Sequence, residues 1–273
     1  MTDSFKDNML NEEKLWLVPL INLESNVEKA RLDDRTAVAR MSSDELKRLH
    51  DVPYNPVQKA GILKATHAIN TKGKDPLGSV KSLILSLRLL KKGDVKYSFA
   101  FTRSRGKGLE AIHTGFGRLD FSTNKYYLDK KDLEELKTLW KSSSQLSKKP
   151  YLSFSTNRFM ESYDKKDLTD KIVNFTAAFE SIVFYNKDKS IEPAGEVMGI
   201  AVAMLLGKNQ NHRDEIKERL IKVYEIRNAI VHGNVKRMKD YFKPDSENNI
   251  MIEEIARKAE DMLRLTLRKL IEE

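Results

Sequence analysis

The stretch Tyr224-Glu225-Ile226-Arg227-Asn228-Ala229-Ile230-Val231-His232-Gly233 decides how the second half of this chain folds. On a helical wheel at about 100° per residue, Ile216, Leu220, Val223 and Ile230 form one apolar stripe, and Arg227 falls inside it. A guanidinium drawn away from water needs a partner or a ligand. Asn228 and His232 share a neighbouring stripe, whereas the side chains of Arg227 and His232 diverge by about 140°. Gly233 stands where a helix C′ residue would stand, so His232 sits at the helix end, where the dipole favours a cation. A histidine in such a place can serve as general acid or base. An arginine beside it can hold a phosphoryl group. Spacing alone also fits a histidine that caps a helix and an arginine that snorkels or pairs with a glutamate.

Outward from this helix, Arg213 to His232, the pattern is helical on both sides. Asn157 to Tyr163 predicts a short helix and Leu168 to Tyr185 a long one. Pro193 to Leu206 begins with proline near the first turn and stops at Gly207. Ile252 to Ile271 predicts the last helix. Upstream, Ser142-Ser143-Ser144 and Ser147-Lys148-Lys149-Pro150 break the periodicity and mark a boundary. Residues 1–145 are expected to form a mixed α and β domain. Strands are predicted at Leu15 to Leu23, Arg35 to Met41, Val95 to Thr102, Ile112 to Phe121 and Lys125 to Leu128. Helices are predicted after the capping box Ser42-Ser43-Asp44-Glu45, over Ser79 to Lys92, and over Asp129 to Gln145. The expected class is α+β overall, with the mixed domain followed by an all-α bundle over residues 151–273.

Composition narrows the chemistry. The chain of 273 residues has no cysteine, which excludes thiol nucleophiles, disulfides and Cys-based zinc sites. Lys and Arg number 49 against 40 Asp and Glu, so the balance is basic and favours polyanionic partners. The segment Thr102-Arg103-Ser104-Arg105-Gly106-Lys107-Gly108 offers Arg103, Arg105 and Lys107 as weak candidates for RNA backbone contact. A solvated hairpin turn explains the same residues. The longest apolar run, Met198 to Leu206, is too short to cross a bilayer. The first residues show no secretory pattern. The cytoplasm is the expected location, with no membrane partner, no cofactor and no metal. Glu180, on a helix whose apolar arc includes Ile172, Phe175, Phe179 and Val183, is a candidate ion-pair partner for Arg227 or Arg158.

The second half resembles the HEPN superfamily, and within it the Apea-like group. The likeness rests on Arg227-Asn228-Ala229-Ile230-Val231-His232-Gly233 at the end of a long helix. It rests also on the preceding helix Gly199 to Gly207 with Arg213, Leu220 and Tyr224 after it, and on Asn157-Arg158-Phe159 with Asn174 to Glu180. It covers Tyr151 to Glu273. More loosely, Leu15 to Leu23 and Arg40 to Leu46 look like regions often fused to this group. Acidic residues just before Arg227 are sparser than the family pattern. The resemblance implies a metal-independent endoribonuclease that works as a homodimer, with the two motif helices meeting. His232 would activate the ribose 2′-hydroxyl or protonate the leaving 5′-oxygen, Arg227 would hold the scissile phosphate, and Asn228 would position either. The ends produced would be a 2′,3′-cyclic phosphate and a 5′-hydroxyl. Glu180 and Arg158 would support the site. A defence or toxin effector is the expected setting. A catalytically idle module that binds RNA or a nucleotide, and a dimeric interaction scaffold, are the rival classes.

Overall fold

The computed structural model describes residues 15–52, 62–73, 75–103, 109–114, 125–143, 146, 149–185, 193–234, 236 and 246–273. The chain is an α+β protein with an N-terminal sheet and C-terminal helices. It divides into two compact units, Met1–Ser144 and Gln145–Glu273. Among the described residues no helix is long and apolar enough to cross a membrane.

The first unit is built on a six-stranded antiparallel sheet of order β3-β4-β5-β1-β6-β7. Its strands are β1 (Leu15–Leu20), β3 (Lys29–Arg31), β4 (Thr36–Arg40), β5 (His67–Thr71), β6 (Phe99–Arg103) and β7 (Leu109–Thr114). A second, parallel pair joins β2 (Leu23–Ser25) to β8 (Tyr126–Leu128). The predicted strand Leu15 to Leu23 is cut in two because Asn22 turns the chain with φ of 61°, a conformation that asparagine tolerates better than most residues. Leu17, Val18 and Leu20 of β1 are all buried, as expected of a central strand covered on both faces. Helix α1 (Ser43–His50) carries the anticipated capping box between Ser42 and Glu45, and Leu49 joins a core of Leu17, Met41, Ala68, Phe99 and Phe101. Helix α2 (Pro76–Leu90) buries Val80, Leu83, Ile84 and Leu87. After a short 3-10 turn, α3 (Leu133–Ser143) packs beside it. Gly93, at φ of 140°, lies against Tyr126, and a Cβ there would come within 2.8 Å of the Tyr126 backbone.

One buried titratable group in this unit has a measurable consequence. His67 is 1% exposed. Its Nε2 lies 3.1 Å from the Val27 carbonyl oxygen and its Nδ1 lies 2.9 Å from the Thr66 hydroxyl. The carbonyl can only accept, so Nε2 carries the proton and Nδ1 accepts from Thr66. Burial pushes the pKa of His67 below the ordinary 6.5, with Arg40 adding to the shift while Val27 and Glu28 oppose it. The unfolded chain therefore binds the proton more readily than the folded one. Stability should be level above about pH 6.5 and fall below it, by at most about 1.4 kcal/mol per pH unit for this one proton. Urea midpoints taken from pH 7.5 to 5.5 would show the decline, and His67→Gln should flatten it. An equal slope in that variant would assign the decline to other groups.

The second unit is helical: α4 (Pro150–Ser162), α5 (Leu168–Val183), α6 (Ala194–Leu206), α7 (Gln210–Val231) and α8 (Ser246–Glu272). Phe159, Phe175, Phe179, Met198, Leu220, Val223, Leu263 and Leu267 are buried in its core. The most extensive helix pairings are α6 with α7 and α4 with α5, and α8 packs on α4, α5, α6 and α7. Past the end of α4, the Tyr163 hydroxyl donates to Glu260 (2.7 Å), which also accepts from the buried Arg264 (3.1 Å), so a polar clamp ties α4 to α8. The Lys269 ammonium donates to the Leu205 carbonyl at the end of α6.

Candidate functional site

Helix α7 carries the site, and two glycines of α6 set its place. Gly195 and Gly199 are one turn apart and face α7. A Cβ on Gly199 would come 3.0 Å from the Lys217 carbonyl oxygen, and one on Gly195 would come 3.1 Å from the Tyr224 ring. Only residues without side chains let the two helices approach this closely. The Tyr224 ring, held in this way, lies 5.8 Å from the Arg227 guanidinium.

The buried stripe of α7 runs through Ile216, Leu220, Val223, Ile226 and Ala229. It differs from the predicted stripe in its last turns, because successive steps of three residues rotate it away from Ile230. Arg227 therefore flanks the core and does not sit within it, and its side chain is 24% exposed. The charge is matched from α5: an Arg227 guanidinium nitrogen lies 3.7 Å from a Glu180 carboxylate oxygen. A second guanidinium nitrogen donates to the Asn228 side-chain oxygen at 3.0 Å. Of the two partners expected for Glu180, the structure joins it to Arg227. Arg158 instead pairs with Glu161 on its own helix at 3.0 Å and lies over the Phe154 ring.

Helix α7 ends in a full Schellman motif. The Asn234 N–H donates to the Ala229 carbonyl (3.0 Å), the Gly233 N–H donates to the Ile230 carbonyl (3.2 Å), and Gly233 has φ of 59°. This fixes His232 as the last residue before the turn, with its backbone N–H bonded to the Asn228 carbonyl and its side chain exposed. The structure thus brings Arg227, Asn228 and Glu180 into one cluster. His232 stands one turn further along, open to solvent. Of the weaker candidates, Arg103 ends β6, opposite Leu15 on one side and Leu109 on the other, while Arg105 and Lys107 lie outside the described residues. Sequence reasoning missed the contribution of Tyr224. The signal available was its position three residues before Arg227, on the same face of the helix.

Compared with protein-family models, with curated proteins and with solved structures, the chain matches none.

Proposed function

We propose that the chain is a metal-independent endoribonuclease of the HEPN type, cutting RNA by attack of the ribose 2′-hydroxyl to leave 2′,3′-cyclic phosphate and 5′-hydroxyl ends. The observation that carries this reading is the Arg227–Asn228–Glu180 cluster one turn before an exposed His232 at the end of α7. A fixed guanidinium supplies a forked donor for a phosphate. An exposed imidazole can act as general base or general acid toward a bound strand. Because Arg227 and His232 diverge on one helix, the working site is proposed to form between the α7 helices of two copies. A symmetric dimer presents the same surface twice and so can set each histidine against the partner's arginine. A cytoplasmic defence or toxin role belongs to the same proposal.

One observation favours a second reading, a module that holds RNA without cutting it. The charge of Arg227 is already matched by Glu180, which weakens its field at a phosphate.

One experiment separates the two. Purified full chain is incubated with total RNA in EDTA, the product ends are mapped, and the mass is measured by light scattering at the same concentration. Cleavage that persists in EDTA, cyclic phosphate ends and a dimeric mass are the expected results. RNA bound but left whole would leave the second reading in place. Loss of cutting in EDTA would remove the metal-independent mechanism, and undiminished cutting by a monomer would remove the composite site.

A further inference from the structure

The charge of the chain is unevenly placed. Residues 1–144 hold 26 Lys and Arg against 19 Asp and Glu, whereas residues 145–273 hold 23 against 21. The helical unit with the candidate site is therefore close to neutral, and its field alone gives weak purchase on a polyanion. What it does show is aromatic surface. On α4, Tyr151, Phe154 and Arg158 follow one another on one face, within an arc of about 60°. Phe154 is 45% exposed and Tyr185, just past α5, is 48% exposed. The Tyr185 and Tyr151 rings lie 4.7 Å apart at 36°. The Arg158 guanidinium stands 5.1 Å from the Phe154 ring centre. Single exposed aromatics are ordinary, but a row of three rings with a guanidinium on one of them is not.

The row adjoins the candidate site through α5. The Ser181 hydroxyl contacts the Tyr151 carbonyl oxygen at 3.1 Å, and the neighbouring Glu180 holds Arg227. Adjacent residues of α5 thus contact the backbone of Tyr151 and the side chain of the proposed phosphate-binding arginine.

We infer that Tyr151, Phe154, Tyr185 and Arg158 form a stacking platform for the unpaired bases of single-stranded RNA, seating the strand beside the Arg227 cluster. The inference rests on the proposed RNA-cleaving site for its choice of partner. Stacking on Phe, Tyr and Arg is the common way to hold unpaired bases, and it tolerates any base because each has a π-face. Arg158 can serve a phosphate or a base plane at small cost, since its pair with Glu161 is exposed and such pairs contribute little. Duplex RNA, whose bases are stacked within the helix, is not a ligand of this surface.

The test uses the full chain and a short, fluorescently labelled 2′-O-methyl oligonucleotide. Such a strand can stack but cannot be cut by 2′-hydroxyl attack, so binding is read whether or not the protein cleaves. Phe154→Ala and Tyr185→Ala are each expected to weaken binding by about 5- to 100-fold. Phe154→Tyr and Tyr185→Phe should keep it, with the dependence on salt unchanged. The platform is overturned if the wild type fails to bind, if the alanine variants bind as the wild type does, or if Phe154→Leu retains full affinity. It is also overturned if the alanine variants lose affinity only because a dimer has come apart, as light scattering would show; the face would then belong to a second copy. Cleavage of ordinary RNA by the same preparations is a separate readout. Binding through the aromatics without cleavage leaves the platform standing and removes the nuclease; cleavage that ignores the aromatics does the reverse.

Discussion

Replacing His232 by alanine is expected to slow RNA cleavage by about 10²–10⁴, the usual contribution of a positioned acid–base group, while the melting temperature stays where it was. The side chain is exposed, so its removal opens no cavity. Helix α7 ends on backbone hydrogen bonds of the Schellman turn, which do not involve the imidazole. Fold and chemistry are therefore separable at this position more cleanly than anywhere else in the motif. Initial rates on a defined single-stranded RNA, with thermal melts of the same preparations, make the measurement. A His232→Ala protein that cuts at the wild-type rate would take the histidine out of the mechanism.

Arg227→Ala should lower the cleavage rate by about 10²–10³, the typical loss when one donor to a developing charge is removed. Its effect on stability should be modest, below about 1 kcal/mol, because the pair with Glu180 is partly open to water at 24% and 28% exposure. Arg227→Lys should recover little of the rate, since a lysine retains the charge but not the fork that reaches Glu180 and Asn228 together. Glu180→Gln sharpens the comparison. It removes the matching charge and leaves the guanidinium in place, so it should alter the rate far less than Arg227→Ala. Equal losses in Glu180→Gln and Arg227→Ala, both with lowered melting temperatures, would make the pair a structural clamp.

Much of the architecture was legible because its signals are local. The capping box at Ser42, the glycine at the end of α7 and the apolar spacing of Leu168 to Val183 each act within a turn or two of helix. What escaped depends on context. Strand β5, His67-Ala-Ile-Asn-Thr71, has no alternation because neighbours cover it on both sides, and the Nε2 of its histidine finds its partner, Val27, far away in sequence. Strand β3 has three residues, too few for any period to show. The first two turns of α4 are hidden in the sequence because Pro150, which opens the helix at its first position, follows a polar serine-lysine stretch that lacks helical periodicity. At the site, Glu180 could be nominated from its apolar company, but the choice between Arg158 and Arg227 as its partner lies in helix packing.

The bare contact between α6 and α7 makes the motif adjustable from a distance. Gly195 lies against the side chain of Tyr224, and that ring stands beside Arg227. A Cβ at Gly195 would meet that side chain at 3.1 Å, so the ring must give by a few tenths of an ångström, and Gly195→Ala is expected to disturb the guanidinium beside it. Under the proposed function, Gly195→Ala should therefore change the cleavage rate although Gly195 is not part of the Arg227 cluster, and an unchanged rate would show that the ring yields without moving the arginine.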